Sequence, residues 1–222
     1  MTDPGRIHID IFSDTVCPWC LIGKRRLEAA LAERPEADVS IHWRVFQLNP
    51  MMPKGGMERQ NYLAMKFGGA EGAKNVYDRI RSVGAEDGID FAFEDIARTP
   101  NTVDSHRLIR WAAGQDRENA VVEELFQSYF FKGEDIGSTE VLVAAAEKAG
   151  ADPAEARAFL ESEALEAEIR EEDRQARGLG IDGVPCFVFN GRHALAGAQP
   201  PKVLVQMLDM AAQEAAAPAE GA

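Results

Sequence analysis

Apolar and polar positions alternate from Ile7 to Phe12, with Ile7, Ile9 and Ile11 on one side and His8, Asp10 and Phe12 on the other. A period of two predicts a strand. Ser13-Asp14-Thr15-Val16 reads as a turn into a helix that starts at Pro18. Along that helix Cys20, Gly23, Leu27, Ala30 and Leu31 recur at a spacing of three to four, which predicts one buried face. Pro35 closes the helical region, and Val39 to Phe46 alternates again as a second strand. Strand, helix and strand joined by short links predict a parallel crossover. Gln47 to Gly56, rich in Pro and Gly, breaks the pattern and marks a boundary.

From about residue 57 to 177 the pattern is helical throughout. Tyr62–Phe67 and Val76–Val83 are short periodic pieces, and Asn101, with Asp104 three residues on, reads as a helix cap. Ser105, Leu108, Ile109 and Ala112 form one face of that helix and leave His106 on the polar side. Val121, Val122, Leu125, Phe126, Tyr129 and Phe130 make a wide apolar stripe that must pack on something. Asp152-Pro153-Ala154-Glu155 combines a cap, a first-turn proline and an acid at the third helical position. Glu161 to Arg177 is dense in both charge signs and reads as a solvated face with paired charges. Strands return at Phe187–Phe189. Asn190-Gly191 is a hairpin turn signal, and His193–Ala196 returns antiparallel. Pro200 and Pro201 open a last helix, and residues 215–222 read as a disordered tail. The expected fold class is α/β, with a discontinuous core (residues 1–56 and 176–222) into which a helical block (57–175) is inserted.

Composition narrows the function. The 222 residues are 45% hydrophobic and 27% charged, an ordinary soluble globular balance. No stretch approaches the roughly 20 apolar residues of a membrane span. A net charge of −13 argues against nucleic acid and anionic membranes as partners, because both need clustered cations. The N-terminal residues carry no apolar run or cleavage site, so the expected compartment is the cytoplasm. Disulfides there are mostly transient and catalytic, and three cysteines make no structural framework.

Cys17-Pro18-Trp19-Cys20 is where the chemistry gathers. Thiols three apart on a helix face the same way. The unpaired N–H groups and positive dipole end at the helix start favour the thiolate at Cys17, the form that attacks disulfides. Pro18 suits the first helical position. Cys20 falls on the buried face and Cys17 at the exposed tip, so Cys17 attacks and Cys20 resolves. Asp14 or Thr15 is placed to cap the helix; accepting the Cys20 proton or tuning Cys17 is the alternative for Asp14. Zinc would need about four ligands, and beyond the pair only Cys186 and four scattered histidines remain, so no metal is expected. Cys186 reads as a small core residue, with a third redox thiol as the alternative. Met51, Met52, Met57 and Met65 read as core filler around the boundary loop, although methionines also suit adaptable apolar binding.

Strand-helix-strand, a helical block, then hairpin and helix is the order of a thioredoxin-type core with a large insertion. The chain resembles the DsbA family of thioredoxin-fold oxidoreductases, in its FrnE-like branch. The residues that carry the likeness are Ser13 to Cys20, Phe46-Gln47-Leu48-Asn49-Pro50, Asn101-Thr102, His106-Arg107-Leu108 and Gly180 to Pro185. The resemblance implies a cis Val184–Pro185 bond facing the Cys17 sulfur, with the Val184 backbone pairing with a substrate segment. It makes Cys17, Cys20 and Pro185 the catalytic set and Trp19, Val184, Asn49, Asn101 and His106 candidates for substrate contact. The residues by themselves read as a turn former before Pro50 for Asn49 and a cap for Asn101, and allow a surface side chain for His106. The expected partners are disulfide- or thiol-containing proteins or small thiols, with no cofactor; glutathione is a candidate co-substrate. The same branch resembles 2-hydroxychromene-2-carboxylate isomerases and kappa-class glutathione transferases, which carry a serine at the place of Cys17. A glutathione-dependent isomerase or transferase is therefore the alternative, and a redox-silent chaperone or binding module a third reading. Oligomeric state stays open.

Overall fold

A computed structural model describes residues 5–216. The core sheet has four strands in the order β2-β1-β5-β6: β1 Ile7–Ser13, β2 Val39–Val45, β5 Cys186–Phe189 and β6 His193–Ala196. β1 runs parallel to β2, with Ile9 opposite Ile41 and Ile11 opposite Trp43. It runs antiparallel to β5, with Ile11 opposite Phe187 and Phe12 opposite Cys186. The period-two pattern read in the sequence is thus spent on one buried face: Ile7, Ile9 and Ile11 are all essentially solvent-free. Asn190 and Gly191 adopt φ 51° and 67° and close the β5–β6 hairpin, a conformation that the two residue types tolerate.

α1 (Pro18–Ala32) follows β1, and α9 (Pro201–Ala216) packs beside it, burying Leu204, Val205, Leu208 and Ala211. The tail expected to begin at residue 215 is not observed at its first two positions. Ala215 and Ala216 are helical, and the remainder of that stretch lies outside the described residues.

Between β2 and β5 stand α2 (Arg59–Phe67), α3 (Ala70–Glu86), α4 (Val103–Ala113), α5 (Glu118–Phe126), α6 (Thr139–Lys148), α7 (Pro153–Glu161) and α8 (Glu166–Gly178). The block is not helical throughout. β3 (Met57–Glu58) and β4 (Arg98–Thr99) form a two-stranded antiparallel ribbon, and residues 87–97 hold only one 3₁₀ turn. Strands of two residues are too short to imprint a period on the sequence. The stripe Val121 to Phe130 has the packing it demanded: all six side chains are buried, and Trp43 of β2 meets Phe126 edge-on at 6.4 Å. The last turn widens to a π-helix over Gln127–Phe131. Asp152 accepts the Ala154 and Glu155 N–H groups at 2.8 and 2.9 Å, the cap that its sequence context predicts. The charged run is less solvated than expected, because Asp173 is buried and Glu172 pairs with Arg110. Arg107, also fully buried, does a job that its sequence does not advertise. It donates to the Phe159, Leu160, Ser162 and Ala164 carbonyls, tying α4 to the end of α7 and to the turn that follows it.

A thiol pair on an uncapped helix start

The turn Ser13–Val16 delivers Cys17 to the N-cap position of α1, with Pro18 first in the helix and Cys20 one turn on. No side chain accepts a first-turn N–H group, and that turn holds no acid. The expected cap is therefore absent. Asp14 points elsewhere: its Oδ2 accepts the Leu48 N–H at 2.7 Å, and its Oδ1 faces His106 Nε2 at 3.5 Å. Thr15 is also turned away, sharing a 2.8 Å hydrogen bond with Ser105 Oγ. The consequence is chemical. Pro18 carries no N–H and the Cys20 N–H donates to the Cys17 carbonyl at 3.0 Å, so it is the positive end of α1 that is left to the sulfur of Cys17.

Cys17, Cys20 and Cys186 are all free thiols, and all are buried. The exposed position expected for Cys17 is not observed; it is 3% exposed. A loop distant in sequence is the reason, since the Cys17 thiol donates to the Val184 carbonyl at 3.7 Å. The next peptide bond, Val184–Pro185, is cis, and the Pro185 carbonyl accepts the Gly197 N–H at 2.7 Å, anchoring the loop to the hairpin. Burial pushes the Cys20 thiol well up, and the hydrogen bond and negative charge of Cys17 push it further. Ser13 and the Asp14 backbone pull the other way without prevailing.

The remaining candidates divide. Trp19 is half-buried against the main core. His106 is buried at 4% exposure, against the polar-side reading, because α4 is enclosed by β2, α5, α6, α7 and α8 and has no solvent face to offer it. Asn101 bridges: its Oδ1 accepts the Val103 N–H at 2.9 Å and its Nδ2 donates to the Met52 carbonyl at 2.6 Å. Asn49 sits in a turn closed by Met52 N–H to Asn49 C=O at 3.0 Å, and its side chain donates to the Tyr62 hydroxyl at 3.1 Å. The loop after β2 is thereby fixed residue by residue, since Gln47 N–H donates to Asp173 at 2.6 Å and Leu48 N–H to Asp14. Cys186 belongs to a different cluster, with Phe12, Phe46 and Ala176, and burial pushes its thiol up. Met52 is buried, whereas Met51 and Met65 are 91% and 75% exposed, so the filler reading fails for those two. Among the described residues no group of three His, Cys, Asp or Glu side chains converges as metal ligands would. A depression of about 820 Å³ lined by Asp10, Phe12, Arg44, Arg110 and Leu179 contains neither Cys17 nor Cys20.

A sheet of this order with a cysteine pair at the head of its first helix and a cis-proline loop above it defines a thioredoxin-fold protein with an inserted helical block. Residues 8–209 match the model of the DSBA-like thioredoxin domain, and the chain belongs to that family. It is similar to a probable DsbA oxidoreductase from Streptomyces coelicolor, with 33% identity, a TM-score of 0.87 and coverage of 97% of this chain and 94% of that one. The cytosolic disulfide reductase DsbM from Pseudomonas aeruginosa, solved with GSH, superposes at a TM-score of 0.61 with 21% identity over 91% of this chain and 98% of its own. A 2-hydroxychromene-2-carboxylate isomerase superposes as well, at 0.67 and 17% identity over 93% and 95%. The fold thus hosts more than one chemistry, and function has to be argued from the site.

Proposed function

We propose that the chain is a thiol–disulfide oxidoreductase with Cys17 as nucleophile and Cys20 as resolving thiol. The observation that carries this reading is that Cys17 itself occupies the N-cap of α1 while Asp14 and Thr15, the natural caps, are bonded elsewhere. In the first step the Cys17 thiolate attacks one sulfur of a substrate disulfide, forming a mixed disulfide and expelling a thiolate. That step removes the negative charge and hydrogen bond that help to hold the Cys20 proton. Cys20 then gives its proton to the departing thiolate and attacks the Cys17 sulfur. The Cys17–Cys20 disulfide forms, the second substrate thiolate leaves, and two electrons have passed to the substrate. The Val184 carbonyl, which the thiol occupies at rest, becomes free for the N–H of an extended substrate segment once Cys17 is consumed. Pro185 shapes that groove, and Trp19 borders it. The cytoplasm is the compartment this chemistry suits, with disulfide-bearing proteins or small thiols as partners.

The test is insulin reduction beside isomerisation of 2-hydroxychromene-2-carboxylate, with the parent and Cys17→Ser. The reading expects reduction by the parent, none by the variant, and no isomerisation by either. A Cys17→Ser protein with full isomerase activity and a parent that reduces nothing would overturn it.

A further inference from the structure

Arg59, the first residue of α2, is 6% exposed, and no carboxylate pairs with it among the described residues. Its guanidinium rests on neutral groups only. Nη1 donates to Thr99 Oγ1 at 2.9 Å and Tyr129 Oη at 3.4 Å, and Nη2 donates to Tyr77 Oη at 2.6 Å. The rings of Tyr62 and Tyr77 lie 5.7 and 5.2 Å from its central carbon. A buried guanidinium ordinarily has an anion beside it, because burying an uncompensated charge is costly. Three of the five N–H groups are used, which leaves the Nε–H and one Nη2–H. These two nitrogens share the edge with which Arg34 grips Asp209 side-on in this protein, at 2.6 and 2.8 Å.

Arg59 also lines a cavity of about 550 Å³, with Leu63, Lys74, Tyr77, Arg81 and Phe93. The other two cations there are engaged, Lys74 with Asp78 and Arg81 with Glu94, so Arg59 is the one left unmatched. Neither Cys17 nor Cys20 lines this cavity; two chains of contact lead from it toward them. Tyr62 is held by Asn49, whose neighbour Leu48 is held by Asp14, three residues before Cys17. Tyr77 and Cys17 belong to the same core cluster, and burial pushes the Tyr77 hydroxyl up, with Cys17 adding to the rise.

We infer that Arg59 is a carboxylate anchor and that the substrate class is a disulfide carrying a carboxylate, its acid on Arg59 and its sulfur at Cys17. This rests on the oxidoreductase reading for the sulfur half only. The anchor opposes the overall charge of −13, which by itself repels such substrates.

The experiment is a single turnover of pre-reduced protein with 3,3′-dithiodipropionate or with neutral bis(2-hydroxyethyl) disulfide, followed by mass spectrometry. No added reductant is needed, since the Cys17–Cys20 pair supplies both electrons. The parent should react with the dicarboxylate at least about tenfold faster than with the neutral disulfide, a ratio that falls as salt is raised. Arg59→Met should bring the ratio to about 1, and Arg59→Lys, which keeps the charge and loses the fork, should fall between. A parent ratio near 1, or one that is unchanged in folded Arg59→Met, overturns the anchor. Adipate, which has both carboxylates and no sulfur, separates the two claims. By calorimetry it should bind the Cys17→Ser protein, and bind Arg59→Lys at least about tenfold more weakly. Adipate binding without any disulfide turnover would sink the redox reading and leave the anchor standing, whereas turnover without adipate binding would do the reverse.

Discussion

Asp14 Oδ1 lies 3.5 Å from His106 Nε2, both side chains are buried, and neither of these two atoms has a hydrogen-bond partner. The turn that presents Cys17 is hydrogen-bonded to α4 through Thr15 and Ser105, and one residue earlier the Asp14 carboxylate faces the His106 ring. Asp14→Ala removes the acceptor of the Leu48 N–H and the carboxylate facing the imidazole. We expect it to cost about 2–4 kcal/mol, the scale for breaking one side of a buried polar pair. Urea denaturation of Asp14→Ala, His106→Phe and the double variant measures the coupling directly. A coupling energy of about 1 kcal/mol or more is expected; additivity within about 0.3 kcal/mol would contradict a direct interaction.

Lys24 and Arg25 on α1 converge on Glu123 of α5, with Lys24 Nζ 2.7 Å and Arg25 Nη1 2.8 Å from its Oε2, and so join the active-site helix to the helical block. Burial pushes the Glu123 carboxyl up, but the hydrogen bonds from Arg25, Lys24 and Gln127 outweigh it and hold the group at about 2. A depressed carboxyl contributes stability that is complete above its unfolded value near 4.3 and is lost as pH falls through the folded one. The side chain is 26% exposed, so screening trims the contribution to roughly 1–3 kcal/mol. Unfolding free energies measured from pH 7 to pH 2 should decline on the acid side in the parent, and Glu123→Gln should flatten that decline below about pH 5. An unchanged acid slope would show that the cluster contributes nothing.

Gly23 keeps the space that the cis-proline loop occupies. A Cβ there would lie 2.8 Å from Pro185 Cγ and 3.2 Å from Phe187 Cζ, and a proline ring cannot swing aside as a flexible side chain would. Gly23→Ala gains about 1 kcal/mol of helix propensity and loses about 1–3 kcal/mol to overpacking. The net expectation is a small loss of stability accompanied by a changed rate of Cys17 alkylation, because the Val184 carbonyl moves with the ring. Gly23→Ser has the same Cβ and should behave alike. A more stable Gly23→Ala protein with parental alkylation would contradict the close approach.

Cys186 should be redox-silent. Phe12, Phe46 and Ala176 surround it, and burial followed by the Asp182 charge pushes its thiol away from the reactive form. Cys186→Ala should keep parental disulfide exchange at a cost of about 1 kcal/mol for the small cavity, read from exchange rates and urea midpoints. Loss of exchange in a folded variant would make it a third participant.

Most of the fold was legible in the chain. The alternation of Ile7, Ile9 and Ile11, the Asn190-Gly191 turn, the Asp152 cap and the stripe ending at Phe130 are local signals whose reading survives packing. The errors share a cause: each depended on what a distant segment covers. Cys17 looked exposed because residue 184 is 167 positions away. Asp14 looked like a cap because its true partners, Leu48 and His106, come from two other elements. His106 looked solvent-facing because a helical wheel assumes one wet side, and α4 has none. The burial of Arg59 and Arg107 gave no signal, since a buried arginine is spelled like a surface one.

The most direct test of the assigned roles is to react the reduced Cys20→Ser protein with one equivalent of a disulfide and to read the intact and peptide masses. The account predicts a stable mixed disulfide on Cys17, none in Cys17→Ser, and in the parent no adduct but a loss of two hydrogens as the Cys17–Cys20 bond forms. An adduct on Cys186, or a Cys20→Ser protein that stays unmodified while the parent is oxidised, would contradict it.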